Sequence, residues 1–235
     1  MLKALIFDVD GTLADTEGLH LEAFNHAFQQ EGLDWRWEVD GYLRLLEISG
    51  GRERLMHHWR SVNPDLKEVD NGAVQDLIAR LHEVKTAYYE QAVLRGAVSL
   101  RPGVLALMSE ARAQGLQLAI ATTTSPVNIA ALLRTAIGPD WREHFLAVGD
   151  ASNAPVKKPN PQVYMKVLAD LGLRAADCVA FEDSSNGLRA ALAAGLATVI
   201  TPNGFTAHHD FKGALRVVPD LGSVNVARLK EWHNR

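Results

Sequence analysis

The sequence predicts an α/β protein: a doubly wound, Rossmann-like parallel sheet core with an inserted small α-helical cap domain. Three observations predict it. Short, β-rich apolar runs recur along the chain, and several end on polar or acidic residues. Helix-length stretches alternate with these runs. One long segment, from about Thr16 to Arg95, has helical periodicity instead and breaks the rhythm.

The first run, Leu2–Val9 (LKALIFDV), is nearly all apolar, as in a strand buried on both faces of a parallel sheet. It stops at Asp10-Gly11-Thr12, a loop signal. Similar runs follow at Leu116–Thr122, Phe145–Val148, Asp177–Phe181 and Ala197–Thr201, with a weaker one at Leu215–Val218. Helical stretches lie between them at Val104–Gln114, Ser125–Ile137, Gln162–Leu171 and Asn186–Ala194. Gly115, Gly172 and Gly195 each fall just past a helix, where a C-terminal cap takes positive φ. Strict alternation implies right-handed crossovers and a doubly wound sheet. The segment that interrupts it carries Trp35, Trp37, Trp59, Leu81 and Tyr88, with breaks expected at Gly32, Gly41, Gly50-Gly51 and Asn63-Pro64. The expected division is therefore 1–15 with 96–235 as the core and 16–95 as the helical cap.

Composition narrows the function. Lys and Arg number 24 against 28 Asp and Glu, so no basic excess advertises nucleic acid or an anionic membrane surface as a partner. No apolar run is long enough to span a bilayer. The chain starts directly on a strand-like segment without the marks of a signal peptide, and a cytoplasmic monomer is expected. The single cysteine, Cys178, has no internal disulfide partner. It lies in the apolar run CVAF, where a small buried core residue is expected rather than a catalytic thiol.

In open α/β sheets, ligands bind outside the carboxyl ends of the strands. Those ends carry Asp8 and Asp10, then Thr122, then Glu182 and Asp183, and the loop after Val148 leads to Lys157 and Lys158. Asp8 and Asp10 are two residues apart, on one side of an extended chain. Four converging carboxylates would repel and raise one another's pKa. A hard divalent ion such as Mg²⁺ relieves this and also neutralises an incoming phosphate. Taken singly, these residues suit turns and helix caps as well: Asp10-Gly11 is ordinary turn chemistry and Asp183 precedes a helix. Their collection at one sheet edge favours a site.

The run Asp8-Val9-Asp10-Gly11-Thr12-Leu13 resembles the first motif of the haloacid dehalogenase superfamily. Thr122, ending LQLAIAT, is similar to the second; Lys158-Pro159, in KKPNPQVY, to the third; and Phe181-Glu182-Asp183-Ser184 to the fourth. The match spans nearly the whole chain, and the helical insert corresponds to that family's small cap. The resemblance implies a Mg²⁺-dependent phosphatase. Asp8 would form an aspartyl-phosphate, and Asp10 would serve as general acid and then base. Thr122 would donate to a phosphoryl oxygen. Lys158 would hold positive charge against Asp8 and the transferring group. Asp8, the Asp10 carbonyl, Glu182 and Asp183 would bind the metal. Of the two lysines only the one before Pro159 fits the motif, which leaves Lys157 as a solvated neighbour. Carbon–halogen hydrolases of this superfamily usually lack the second aspartate, so Asp10 argues against dehalogenation.

The segments GLHLEAFNHAF, GGRER, ATTTSPVNI and KKPNPQVY are together similar to the CbbY subgroup, whose members are xylulose-1,5-bisphosphate phosphatases. Many of these carry GGKER where this chain has Gly50-Gly51-Arg52-Glu53-Arg54. The resemblance implies a small phosphorylated sugar as the partner. Its binding groups would be His20, Gly51, Arg52 and Arg54 in the cap and Thr123, Thr124 and Asn128 in the core. His20 equally suits an exposed helix face, and the arginines a solvated helix start. Two glycines before a helix free the backbone for close approach, helix N-termini attract anions, and arginine forks suit phosphate. The cap is expected to close like a lid. A phosphomutase of the β-phosphoglucomutase kind shares these motifs, and a non-catalytic binding protein on the same fold is the alternative from another class.

Overall fold

The computed structural model describes residues 1–64 and 72–234. The chain divides into two compact units, Met1–Glu17 with Val98–Arg235, and Gly18–Ala97.

The first unit is built on β1 (Ala4–Phe7), then β2 (Gln117–Ala121), β3 (Ala147–Gly149), β4 (Cys178–Glu182), β5 (Ala197–Ile200) and β6 (Arg216–Val217). All pair in parallel, in the order β3-β2-β1-β4-β5-β6. The chain winds one way from β1 to β3 and then returns to β4 on the other side of β1. The switch point therefore lies between β1 and β4, and it opens at their carboxyl ends. Phe7 pairs with Phe181 in register there, and the two rings stack 4.7 Å apart.

Strand side chains alternate between faces. Ala4, Ile6, Ala119, Ala121 and Ala180 point into one cluster with Val163, Tyr164, Val167, Ala190 and Ala191. The small residues of the strands let the helices behind them pack close. Cys178 belongs to this cluster, and burial pushes its thiol up to about 11, so it remains a protonated core residue.

In chain order the helices of the first unit are those at Val104–Ala113, Pro126–Ile137, Gln162–Leu171, Ser185–Ala193 and Val226–His233. Gly115, Gly172 and Gly195 have φ of 75°, 64° and 80°, the left-handed conformation that stops a helix without a Cβ clash. The last helix lies in a stretch with no expected element. Its start is set by Asn225, whose side chain accepts from the Arg228 amide, and by burial of Val226 and Leu229.

Arg101 ties the loops of this unit together. It is 9% exposed, and its guanidinium donates to the carbonyls of Gly11, Thr201, Pro202 and Pro219 at 2.5–3.1 Å. Its Nε faces Asp15 at 3.3 Å, and its amide donates to the Leu13 carbonyl. One planar fork thus joins the turn after β1, the end of β5 and the segment after β6.

The second unit consists of helices at Gly18–Gln30 (continuing from Glu17), Val39–Leu45, Gly51–Val62 and Gly72–Leu94, with no strand among its described residues. In the last of these, Val74, Ile78, Leu81, Lys85, Tyr89 and Ala92 are buried at spacings of three and four, one stripe of the helix. Two expectations need correcting. Trp35 and Trp37 lie in the non-helical stretch before Val39. The Trp37 backbone is clasped there by Asn25, whose amide donates to its carbonyl and accepts from its N–H, each at 2.8 Å. Gly41 falls inside a helix rather than breaking it, because one glycine costs only about 1 kcal/mol against alanine. No helix among the described residues is long and apolar enough to cross a membrane.

Arg101→Ala would leave several buried carbonyls without a donor and is expected to destabilise the protein by about 3–5 kcal/mol. A thermal melt should show the midpoint falling by roughly 6 °C or more. A shift under about 2 °C would mean that these loops hold without it.

Candidate active site

Asp8 follows β1, Thr122 follows β2, and Glu182 ends β4 with Asp183 next to it, so the sheet alone sets four of the expected residues at one edge. Lys158 comes from the loop before the helix at Gln162–Leu171 and is buried. Its ammonium donates to Asp8 Oδ1 at 2.7 Å, to Glu182 Oε1 at 2.5 Å and to the Ala121 carbonyl at 3.0 Å. An ammonium has three N–H groups, and all three are committed.

The electrostatics are crowded. Burial raises the Asp8 carboxyl to about 7; Lys158 opposes the shift, while Glu182 and Asp10 add to it. Burial alone would lower Lys158, but Asp8 and Glu182 together outweigh it and raise the lysine above its ordinary value. Asp183 is held well above the usual carboxylate range by burial, then by the charges of Asp8, Glu182 and Glu17.

Asp8, Glu182 and Asp183 each present an oxygen, and these oxygens all lie within 4.8 Å of one another. Three buried carboxylates beside one ammonium form an all-oxygen, electron-rich set, which is the donor chemistry of a hard divalent cation. The residues therefore fit the metal that the family motifs imply. Space there is tight: a Cβ on Gly11, whose φ is +79°, would stand 2.2 Å from Asp183 Oδ2. Asp10 is half-buried, and its Oδ1 accepts from the fully buried Thr16 hydroxyl at 2.8 Å.

Other core residues named from the sequence gather at the start of the helix at Pro126–Ile137. The amide of Thr124 donates to Thr122 Oγ1 at 3.4 Å, and the side-chain amide of Asn128 to Thr124 Oγ1 at 3.2 Å. Asn128 is buried, and its Oδ1 has no hydrogen-bond partner among the described residues. Lys157 is half-buried rather than solvated, and its ammonium donates to the Thr123 carbonyl at 3.2 Å.

In the helical unit, His20 is buried, so the exposed-face reading fails. Its ring stacks on Tyr89 at 4.4 Å, and its Nδ1 lies 2.7 Å from the ammonium of Lys85. An ammonium only donates, so Nδ1 accepts and the ring proton is assigned to Nε2. Gly51 permits close helix packing: a Cβ there would stand 3.2 Å from the His82 ring and 3.3 Å from Phe24. Arg54 is half-buried and donates to the Ile48 carbonyl at 2.8 Å and the Tyr42 hydroxyl at 3.2 Å. Arg52 is exposed and lines a cavity of about 440 Å³ with Met56, Arg60 and Ile78.

Four residues that shape these clusters were not anticipated. Tyr164 donates to Glu182 Oε1 at 2.5 Å, and Asn203 to Asp183 Oδ2 at 2.8 Å. Arg101 and Lys85 are the others. Asn203 had a signal, since Pro202-Asn203-Gly204 is a turn sequence at the carboxyl end of a strand. Tyr164 reads from sequence as core, and only its hydroxyl's direction makes it polar.

Comparison with known proteins identifies the family. The family model for haloacid dehalogenase-like hydrolase matches residues 2–195. The plasmid-encoded protein CbbY of Cupriavidus necator is 50% identical, over 99% of this chain and 97% of its own length. The crystal structure of CbbY from Rhodobacter sphaeroides in complex with phosphate superposes with a TM-score of 0.89 at 38% identity, covering 98% of this chain and all of that one. A mutant of the same protein, crystallised with xylulose-(1,5)bisphosphate, gives 0.88 at 38% identity, over 97% and 98% of the two chains. Near-complete coverage of both partners in each pairing leaves no part of the likeness to a shared fragment, and the chain belongs to the haloacid dehalogenase-like hydrolase family, in its CbbY branch.

Proposed function

We propose that this phosphatase-type hydrolase removes phosphate from a small sugar phosphate, with sugar bisphosphates of the xylulose 1,5-bisphosphate kind as the preferred class, using Mg²⁺ and Asp8 as nucleophile. The observation that carries the proposal is the buried carboxylate of Asp8 at the switch point, held at 2.7 Å by Lys158 and grouped with Glu182 and Asp183. The complexes of the Rhodobacter sphaeroides protein with phosphate and with xylulose bisphosphate support the substrate class.

In this reading Lys158 fixes Asp8 through Oδ1 and leaves the other oxygen to attack phosphorus. The bond from phosphorus to the sugar oxygen breaks, and Asp10, steadied by Thr16, gives that oxygen a proton. Asp10 then takes a proton from water, which attacks the aspartyl-phosphate and returns Asp8 and inorganic phosphate. Thr122 and the backbone around Thr124 steady the phosphoryl oxygens. Mg²⁺, held by Asp8, Asp183, Glu182 and the Asp10 carbonyl, would offset the negative charge that gathers on the phosphoryl group. Arg54 is already bound to Ile48 and Tyr42, so recognition of a second phosphate falls to the exposed Arg52.

Asp8→Asn is expected to lower phosphate release by roughly a thousandfold or more while leaving the thermal midpoint within a few degrees. Near-normal turnover by a sample shown by mass spectrometry to keep asparagine would remove Asp8 as nucleophile.

Metal dependence carries a pH signature. The folded Asp8 carboxyl titrates at about 7 and that of Asp183 lies well above its ordinary value, whereas both have pKa values of about 3.9 in the unfolded chain. Stability from holding these protons is fully present below pH ~4 and is lost as pH rises through the folded values. Mg²⁺ needs the deprotonated oxygens, so its stabilisation should be larger at pH 8 than at pH 6. It should reach about 2.7 kcal/mol at a concentration a hundredfold above Kd. Melts with and without Mg²⁺ at the two pH values check this, and an increment that shrinks with pH would oppose it.

Arg52→Ala should raise KM for a sugar bisphosphate by roughly tenfold or more, the loss of one charge-assisted contact, with p-nitrophenyl phosphate turnover little changed. Arg54→Ala should instead lower the thermal midpoint. Equal losses on both substrates for Arg52→Ala would make that arginine a support of the helical unit.

A further inference from the structure

Glu182 has two oxygens and three close neighbours. Oε1 accepts from the Lys158 ammonium and from the Tyr164 hydroxyl, each at 2.5 Å, which occupies both of its lone pairs. The whole carboxylate lies against Gly187, where a Cβ would stand 1.9 Å from Oε2, 2.1 Å from the carboxyl carbon and 2.4 Å from Oε1. Oε1 is gripped, and the carboxylate as a whole has room only because the helix at Ser185–Ala193 carries a bare α-carbon in its first turn.

Tyr164 is completely buried in the hydrophobic cluster behind the sheet, among Val163, Val167, Ala180 and Ala190. For packing alone, phenylalanine would serve as well and would avoid burying a hydroxyl. The hydroxyl meets a carboxylate instead, and the ring lies 5.2 Å from the Lys158 ammonium. Tyr164 stands on the first turn of the helix that follows Lys158, so one short rigid stretch of chain supplies both donors to Oε1.

We infer that Tyr164 is a positioning residue: with Lys158 it fixes one oxygen of Glu182 and, with the space left by Gly187, keeps the other turned toward the cation. This rests on the Mg²⁺ reading above. The consequence reaches Asp8 as well. Without the Tyr164 hydroxyl, Glu182 must take all its compensation from Lys158, and the ammonium is drawn away from the proposed nucleophile. Outer partners that orient a ligand typically carry ten- to a hundredfold in metal affinity or activity.

The test is Tyr164→Phe, which keeps the ring and its packing. Mg²⁺ affinity is measured by calorimetry on the substrate-free protein, alongside kcat, KM and the thermal midpoint of the metal-free form. The expected result is roughly tenfold weaker Mg²⁺ binding and a comparable fall in kcat, with KM within about twofold and the midpoint little changed. Affinity and kcat both within twofold of the parent would overturn the inference. Loosened packing could also weaken binding, so the same substitution is made in a Glu182→Gln background. There it should cost nothing further, and a second loss of equal size would overturn the positioning role. A parent protein that binds no Mg²⁺ would instead overturn the metal reading itself.

Discussion

A single buried ammonium among carboxylates is the constraint around which the core is organised. Lys158 faces Asp8 and Glu182 with almost no access to water, and Asp183 lies in the same group. Taking several charges of one sign out of water is costly unless each has partners. The surroundings supply them: Tyr164 for Glu182, Asn203 for Asp183, Thr16 for Asp10 and the Ala121 carbonyl for the third N–H of Lys158. What remains is an excess of negative charge, which adds to burial in raising the pKa values of Asp8 and Asp183. A folded protein that tolerates this imbalance at its sheet edge is poised for a cation and for a reaction that gains from it.

That tolerance depends on rigid loops. The turn after β1 carries Asp10 and Gly11, and its Gly11 carbonyl accepts from both Arg101 and Asn203. Arg101 also holds the chain leaving β5, where Asn203 sits. The two side chains tie the turn bearing Asp10 to the loop that steadies Asp183. Such side chain–carbonyl bonds do for irregular backbone what the ladder does for strands, and they keep buried polar groups paired.

The helical unit uses its cations in a different way. Lys85 is buried over the rings of Phe24 and Tyr89 and faces the His20 imidazole, so π-electrons and a ring nitrogen help to meet its charge. Arg54 closes the segment before its helix onto Ile48 and Tyr42, and Arg52, two residues earlier, remains exposed. Adjacent arginines of one motif therefore divide between holding the unit together and facing solvent. Their spacing alone could not have separated the two roles.

Sequence by itself determined the sheet, because strands buried on both faces must be nearly all apolar and the acidic residues that end them stand out by contrast. Asp8, Thr122, Glu182 and Asp183 were legible for that reason, and Lys158 through its place before Pro159. The helices of the core followed from periodicity and the glycines that stop them. The second unit was legible only as helical: Trp35 and Trp37 read as part of a helix but sit in a loop, because Trp37 is held there by Asn25 and by the rings of Phe24 and Phe28 rather than by local propensity. Tertiary structure decided everything that depends on where a side chain's polar end points. Tyr164 is a core aromatic by pattern, yet its hydroxyl meets a residue 18 positions away; Arg101 looks like a linker cation, yet its guanidinium meets carbonyls about 90 to 118 positions distant. Such partners leave no periodic trace, since hydrogen bonds depend on approach and direction in space, whereas sequence patterns record only which face of an element is dry.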